Sequence, residues 1–117
     1  MKNQDNQEQL PPKTCTIERL VTVPEDVEKV IAGEKTATRR NGRYADIGEV
    51  MELNNRQFVV NRVYQQQLGD VTDEDAKREG FENLDEYKDA ILNLHPGMRW
   101  VPKMQVWVHE FEPVQNA

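Results

Sequence analysis

The spacing of apolar residues changes several times along this chain, and each change predicts a new element. Residues 14–23, TCTIERLVTV, are rich in β-branched side chains and predict a strand. Pro24 then opens a helix over PEDVEKVIAG, in which Val27, Val30 and Ile31 stand at i, i+3 and i+4 on one face. Glu25 and Asp26 occupy its first turn, where the positive end of the helix dipole favours acids. Gly33 ends it at a position where positive φ is cheap. KTATRR follows as an extended segment, Asn41-Gly42 signals a turn, and EVMEL, NNR and QFVVNRVYQQQL together predict a β-hairpin. Thr72 and Asp75 have the spacing of a capping box, so a short acidic helix starts there and stops at Gly80. Asn83 starts another, on which Leu84, Tyr87, Ile91 and Leu94 form an apolar face, and His95-Pro96-Gly97 ends it. MQVWVHEFE is the last strand, with large apolar groups in both alternating sets. Mixed order and short strands predict an α+β fold with a small barrel-like sheet, and the hairpin-like middle lacks the crossover helices of a doubly wound parallel sheet.

The chain's 117 residues suit one domain, read as residues 14–114 behind a flexible polar leader, residues 1–13, MKNQDNQEQLPPK. That opening has no apolar run of the secretory kind, and no stretch approaches a membrane span, so a cytoplasmic location is expected. Cys15 is the single cysteine and has no internal disulfide partner. A lone cysteine is more often a small buried apolar residue than a nucleophile. The sequence contains no serine, which excludes serine–histidine hydrolase chemistry and leaves threonine or tyrosine as hydroxyl nucleophiles.

Charge sharpens this picture. The formal net charge is −6, yet residues 29–43 hold five Lys or Arg against one Glu, while residues 66–95 hold nine Asp or Glu against three Lys or Arg. Such a balance opposes tracking duplex DNA, whose affinity rests on many phosphate contacts, and leaves room for a small polar ligand at one positive spot. His95 and His109 lack metal-ligand spacing, and the glycine-rich phosphate-binding patterns are absent, so neither a metal nor a cofactor is expected. Trp107 reads as core. Tyr44 and Trp100, the latter beside Arg99 and near Lys103, are candidates for stacking on a base.

The densest chemistry is Lys35, Thr36, Thr38, Arg39 and Arg40, with acids available from the helix that ends at Glu79. In a regular strand Thr36, Thr38 and Arg40 share one face and Lys35, Ala37 and Arg39 the other, so a bend is needed if Lys35 and Thr38 are to cooperate. The ordinary reading is a solvated edge strand whose cations discourage aggregation. Against it stands IAGEKTATRR, followed by Gly48-Glu49 before an apolar strand, then DAKREGFENLDEYKDAIL, then VWVHEFE. In this order these segments resemble the ASCH domain over residues 16–113. The signature glycine-x-lysine-threonine-x-threonine-x-arginine is its most specific part. Gly48-Glu49 stands where the family usually has Gly-Asp, and Arg39 where it has an apolar residue.

The resemblance implies a PUA-like β-barrel flanked by short helices, with a cleft for RNA or a modified nucleoside. Small bacterial members include N(4)-acetylcytidine amidohydrolases. Carried over by position, Lys35 is the base, Thr38 the nucleophile or the group that positions water, and Glu79 the proton shuttle. Arg40 would orient Glu79 or hold developing negative charge. Thr36, Arg39, Arg40, Tyr44, Arg99 and Trp100 are the expected substrate-binding residues. The expected activity is metal-independent removal of an acyl group from an acylated nucleoside. The alternatives are an RNA-binding module without catalysis and a metal-independent ribonuclease. The expected partner is a modified nucleoside or short RNA, with no membrane involved.

Overall fold

A computed structural model describes residues 12–114. The first eleven residues of the expected leader lie outside them. Three α-helices, α1 (Pro24–Ile31), α2 (Asp73–Arg78) and α3 (Leu84–Leu94), accompany four strands, β1 (Ala37–Arg40), β2 (Val50–Leu53), β3 (Arg56–Gln67) and β4 (Gln105–Pro113). The strands form one antiparallel sheet in the order β1-β4-β3-β2, so β1 is an edge strand. This is the expected α+β class, with the sheet curled into half a barrel.

Local signals behave as the sequence predicts. Asn54 and Asn55 both take positive φ, 51° and 67°, and close the two-residue β2–β3 turn. The Thr72 side chain accepts the Asp75 N–H, and Asp75 returns the bond to the Thr72 N–H, completing the capping box of α2. Asn83 caps α3 through the Glu86 N–H.

Residues 14–23 differ from the expectation. They contain a 3-10 turn, Ile17–Arg19, and no strand. Ile17, Leu20 and Val21 are all buried in one cluster with Val30, Phe58, Val60 and Phe111. An i, i+3, i+4 set cannot face one side of an extended chain, but one helical turn presents it together.

A second cluster gathers Leu68, Val71, Ala76, Tyr87 and Val106. Val106 and Phe111 stand five residues apart on β4, so they point to opposite sides of the sheet. The sheet is therefore packed on both faces: the 3-10 turn and α1 cover one, α2 and α3 the other. The edge strand β1 lies where these two layers approach each other.

Candidate active site

The site begins at the end of α1. Gly33 takes φ +83°, its N–H bonds the Val30 carbonyl at 3.1 Å, and the Glu34 N–H bonds the Lys29 carbonyl at 2.8 Å. This left-handed closure reverses the chain and sends Lys35 back toward the C-terminus of α2. The last carbonyls of a helix have no partner within it. Here three in succession are met by one segment: Arg78 by the Thr36 N–H at 2.7 Å, Glu79 by Lys35 Nζ at 3.1 Å, and Gly80 by Lys29 Nζ at 3.0 Å. Gly80 has φ +95°, and a Cβ there would lie 2.9 Å from Lys29 Cδ.

This clasp brings the expected amine and carboxylate into contact. Lys35 Nζ lies 2.9 Å from Glu79 Oε1, and both side chains are only 4 % exposed. The other carboxylate oxygen, Oε2, accepts from Arg39 Nη1 at 2.9 Å. Arg39 also donates from Nε to Gln66 at 2.9 Å and stands 3.5 Å from Asp75 Oδ1. Burial alone would raise the Asp75 carboxyl; the Thr72 N–H and the Arg39 charge lead the effects that outweigh it and hold that carboxyl below its usual range.

Arg40, expected to orient Glu79, does something else. Its Nη2 donates to the Leu20 carbonyl at 2.6 Å, and its guanidinium lies 5.8 Å from the centre of the Tyr44 ring. Neighbouring residues of a strand diverge: Arg39 turns to Glu79 at the end of α2, whereas Arg40 sends one nitrogen to the Leu20 carbonyl while still lining the cleft.

Lys35, Thr38, Arg39, Arg40 and Glu79 line one cleft of about 380 Å³ between α1 and α3. Lys35 precedes β1 and is free of its alternation. Thr38 reaches the same cleft because the cleft wraps the free edge of the strand. The Thr38 hydroxyl makes no hydrogen bond among the described residues. Opposite Thr38 in the sheet is His109, which is fully buried. The Tyr44 N–H donates to His109 Nε2 at 3.0 Å, so the neutral ring carries its proton on Nδ1, which has no partner among the described residues. The Thr38 and Trp107 carbonyls favour a charged ring but complete no hydrogen bond to Nδ1. Burial dominates and lowers the His109 pKa to about 4.

The remaining expected residues divide. Tyr44 lines a cavity adjoining the cleft. Thr36 is exposed, with its N–H and carbonyl engaged by Arg78 and Phe111. Arg99 and Trp100 line neither cavity. Trp100 packs edge-on against Tyr87 at 6.2 Å with Lys88 over its ring, as part of the second core.

Sequence reasoning missed Tyr87, which lines both cavities, because an apolar helical stripe looks the same whether it faces core or cleft. Burial, and after it the nearby Glu79 charge, raise the Tyr87 hydroxyl above its ordinary range. It also missed Gln66 and Asp75 as partners of Arg39; the capping box was legible, but nothing in it points to a cation.

No family model matches the chain, and no curated protein matches it. Solved structures do. An ASCH domain from Lactobacillus crispatus JV V101 superposes with a TM-score of 0.66 at 14 % identity, covering 94 % of this chain and 84 % of that one. A DUF984 protein from Enterococcus faecalis V583 gives 0.57 at 16 % identity, covering 97 % and 84 %. At such identities the likeness is one of fold: the chain has a half-barrel α+β architecture like that of the ASCH-domain structure.

Proposed function

We propose that this protein is an amidohydrolase that removes the acyl group from an acylated cytidine of the N(4)-acetylcytidine type. The observation that carries the reading is the buried Lys35–Glu79 pair at 2.9 Å, opening on a cleft that Thr38 also lines. The ASCH-like signature in the sequence and the ASCH fold support it from another direction.

The pair holds one transferable proton between an amine and a carboxylate. Passing it from Lys35 to Glu79 leaves a neutral amine, which takes a proton from the attacking hydroxyl group, either Thr38 or a water beside it. With water, the new C–O bond gives a tetrahedral alkoxide. The C–N bond then breaks, Glu79 protonates the departing exocyclic nitrogen, and Lys35 and Glu79 return to their starting charges. With Thr38 as nucleophile the same steps form an ester, which a water then hydrolyses. Arg40 lines the cleft and pairs with no carboxylate among the described residues, so its charge is available to the alkoxide.

The basic run is poorly suited to a phosphate track, because much of it is engaged internally. Lys29, Lys35 and Arg39 hold α2, and Arg43 pairs with Asp46. A small, uncharged nucleoside fits that arrangement better than a polyanion.

The test is to incubate the full chain with N(4)-acetylcytidine and follow cytidine release. Turnover that falls by about 10²-fold or more in Lys35→Met is expected for loss of the base. No release of cytidine at high enzyme concentration, or undiminished release by Lys35→Met, defeats the reading.

A further inference from the structure

The cleft continues past the ion pair. A second cavity of about 440 Å³ adjoins it, and the two share Arg39, Arg40, Tyr87, Ile91 and Leu94 as a common wall. Their outer walls differ in charge, carboxylates and lysines lining only the lobe with the ion pair. The lobe holding the ion pair is edged by Glu25, Asp26, Lys29 and Asn93, beside the apolar Val23, Phe81 and Ala90. The adjoining lobe is built from Leu68, Met98, Met104 and Val106, with Asn41, Tyr44 and His95 as its polar side chains beyond the shared wall.

Exposed apolar side chains border both lobes, with Leu94 in the wall they share. Six large apolar side chains are exposed among the described residues, and three of them border these lobes: Leu94 at 65 %, Val23 at 39 % and Met104 at 38 %. In a chain of mean hydropathy −0.85, uncovered apolar groups gathered at a cleft mark a place where ligand surface replaces water.

We propose that the second lobe is an acyl subsite, and that the preferred substrates are amides whose acyl group is a butyryl-to-hexanoyl chain longer than acetyl. The inference rests on the amidohydrolase reading, which fixes the amide carbon beside Lys35 and Thr38. From that carbon two groups must leave in different directions. The nucleoside half carries hydroxyls and ring nitrogens that lose hydration on binding and need new partners, and the lobe edged by acids, Lys29 and Asn93 supplies them. The aliphatic half needs none, and the lobe of leucine, valine and methionine offers apolar contact. Met98 and Met104 adapt readily to chains of different length. An acetyl group ends in one methyl and leaves this lobe without an occupant.

The experiment measures kcat/KM of the full chain on N(4)-acetyl-, N(4)-butyryl- and N(4)-hexanoylcytidine. Burial of each added methylene raises kcat/KM by about fourfold. Met104→Asp and Leu94→Asp, each at an exposed position and each checked for an unchanged melting temperature, flatten that dependence on chain length. Release of cytidine from the acetyl compound with a flat or falling series overturns the acyl subsite alone, and is the pattern expected if the base occupies the lobe. A rising series that neither variant flattens also overturns it. No turnover of any of the three amides removes the hydrolase reading and the subsite with it.

Discussion

Lys35 and Glu79 stand 44 positions apart in the chain and 2.9 Å apart in the fold, with Arg39 completing the carboxylate from its other side. A carboxylate buried between two cations is costly to desolvate, and the two cations together offset that cost. Helix geometry explains why the partners are in place. The end of α2 needs donors for its carbonyls, and the segment leaving α1 brings Lys29, Lys35 and the Thr36 N–H to the same spot.

The two ends of this pair should respond unequally to substitution. Glu79→Gln leaves the buried Lys35 without a carboxylate and Arg39 with only Asp75 at 3.5 Å, and is expected to lower folding stability by about 3–5 kcal/mol. Lys35→Met costs less, because Arg39 still holds Glu79. Urea denaturation of both variants measures the difference; equal losses contradict the shared-carboxylate arrangement.

Thr38 separates catalysis from stability. Its hydroxyl is without a hydrogen bond among the described residues, so Thr38→Val strands no partner and leaves the unfolding midpoint nearly unchanged. The same substitution is expected to lower turnover of N(4)-acetylcytidine by about 10²-fold or more. Mass spectrometry of rapidly quenched enzyme then distinguishes an acyl-threonine from direct attack by water.

His109 makes stability depend on pH. Its pKa falls from 6.5 to about 4 on folding, so between those values the unfolded chain binds the extra proton. Stability therefore decreases as pH falls from 6.5 toward 4, and below that window this contribution no longer changes. The loss is at most about 3 kcal/mol. His109→Gln keeps an acceptor for the Tyr44 N–H but does not titrate, so its stability should decline less over the same range. Denaturant midpoints between pH 4 and 7 for both proteins provide the comparison; parallel curves would assign the acid sensitivity to other groups.

Gly33 and Gly80 both have positive φ, yet they should tolerate alanine differently. Around Gly33 there is open space, so Gly33→Ala carries only the left-handed penalty of about 1–2 kcal/mol. Gly80→Ala adds a collision with Lys29, whose amine holds the Gly80 carbonyl, and should cost more. Thermal unfolding of the pair tests this, and an equal or smaller loss at Gly80 shows that Lys29 moves aside freely.

Much of the fold was legible from short segments. The glycine after α1, the paired asparagines of the β2–β3 turn, the capping box at Thr72 and the stripe on α3 each act within a few residues. The segment at 14–23 misled because β-branched composition favours a strand, whereas the burial of Ile17, Leu20 and Val21 in one cluster required a helical turn. Composition reports preference; the neighbouring core decides.

Sequence alone determined the local elements, the α+β class and the concentration of amine, hydroxyl and guanidinium groups around residues 35–40. Those features depend on backbone preferences and periods that operate between near neighbours. Tertiary structure decided that Arg39, and not Arg40, holds Glu79, that Trp100 sits behind Tyr87, and that an apolar lobe adjoins the charged one. These outcomes rest on which face of a strand meets which helix, a matter settled only when segments far apart in the chain pack together.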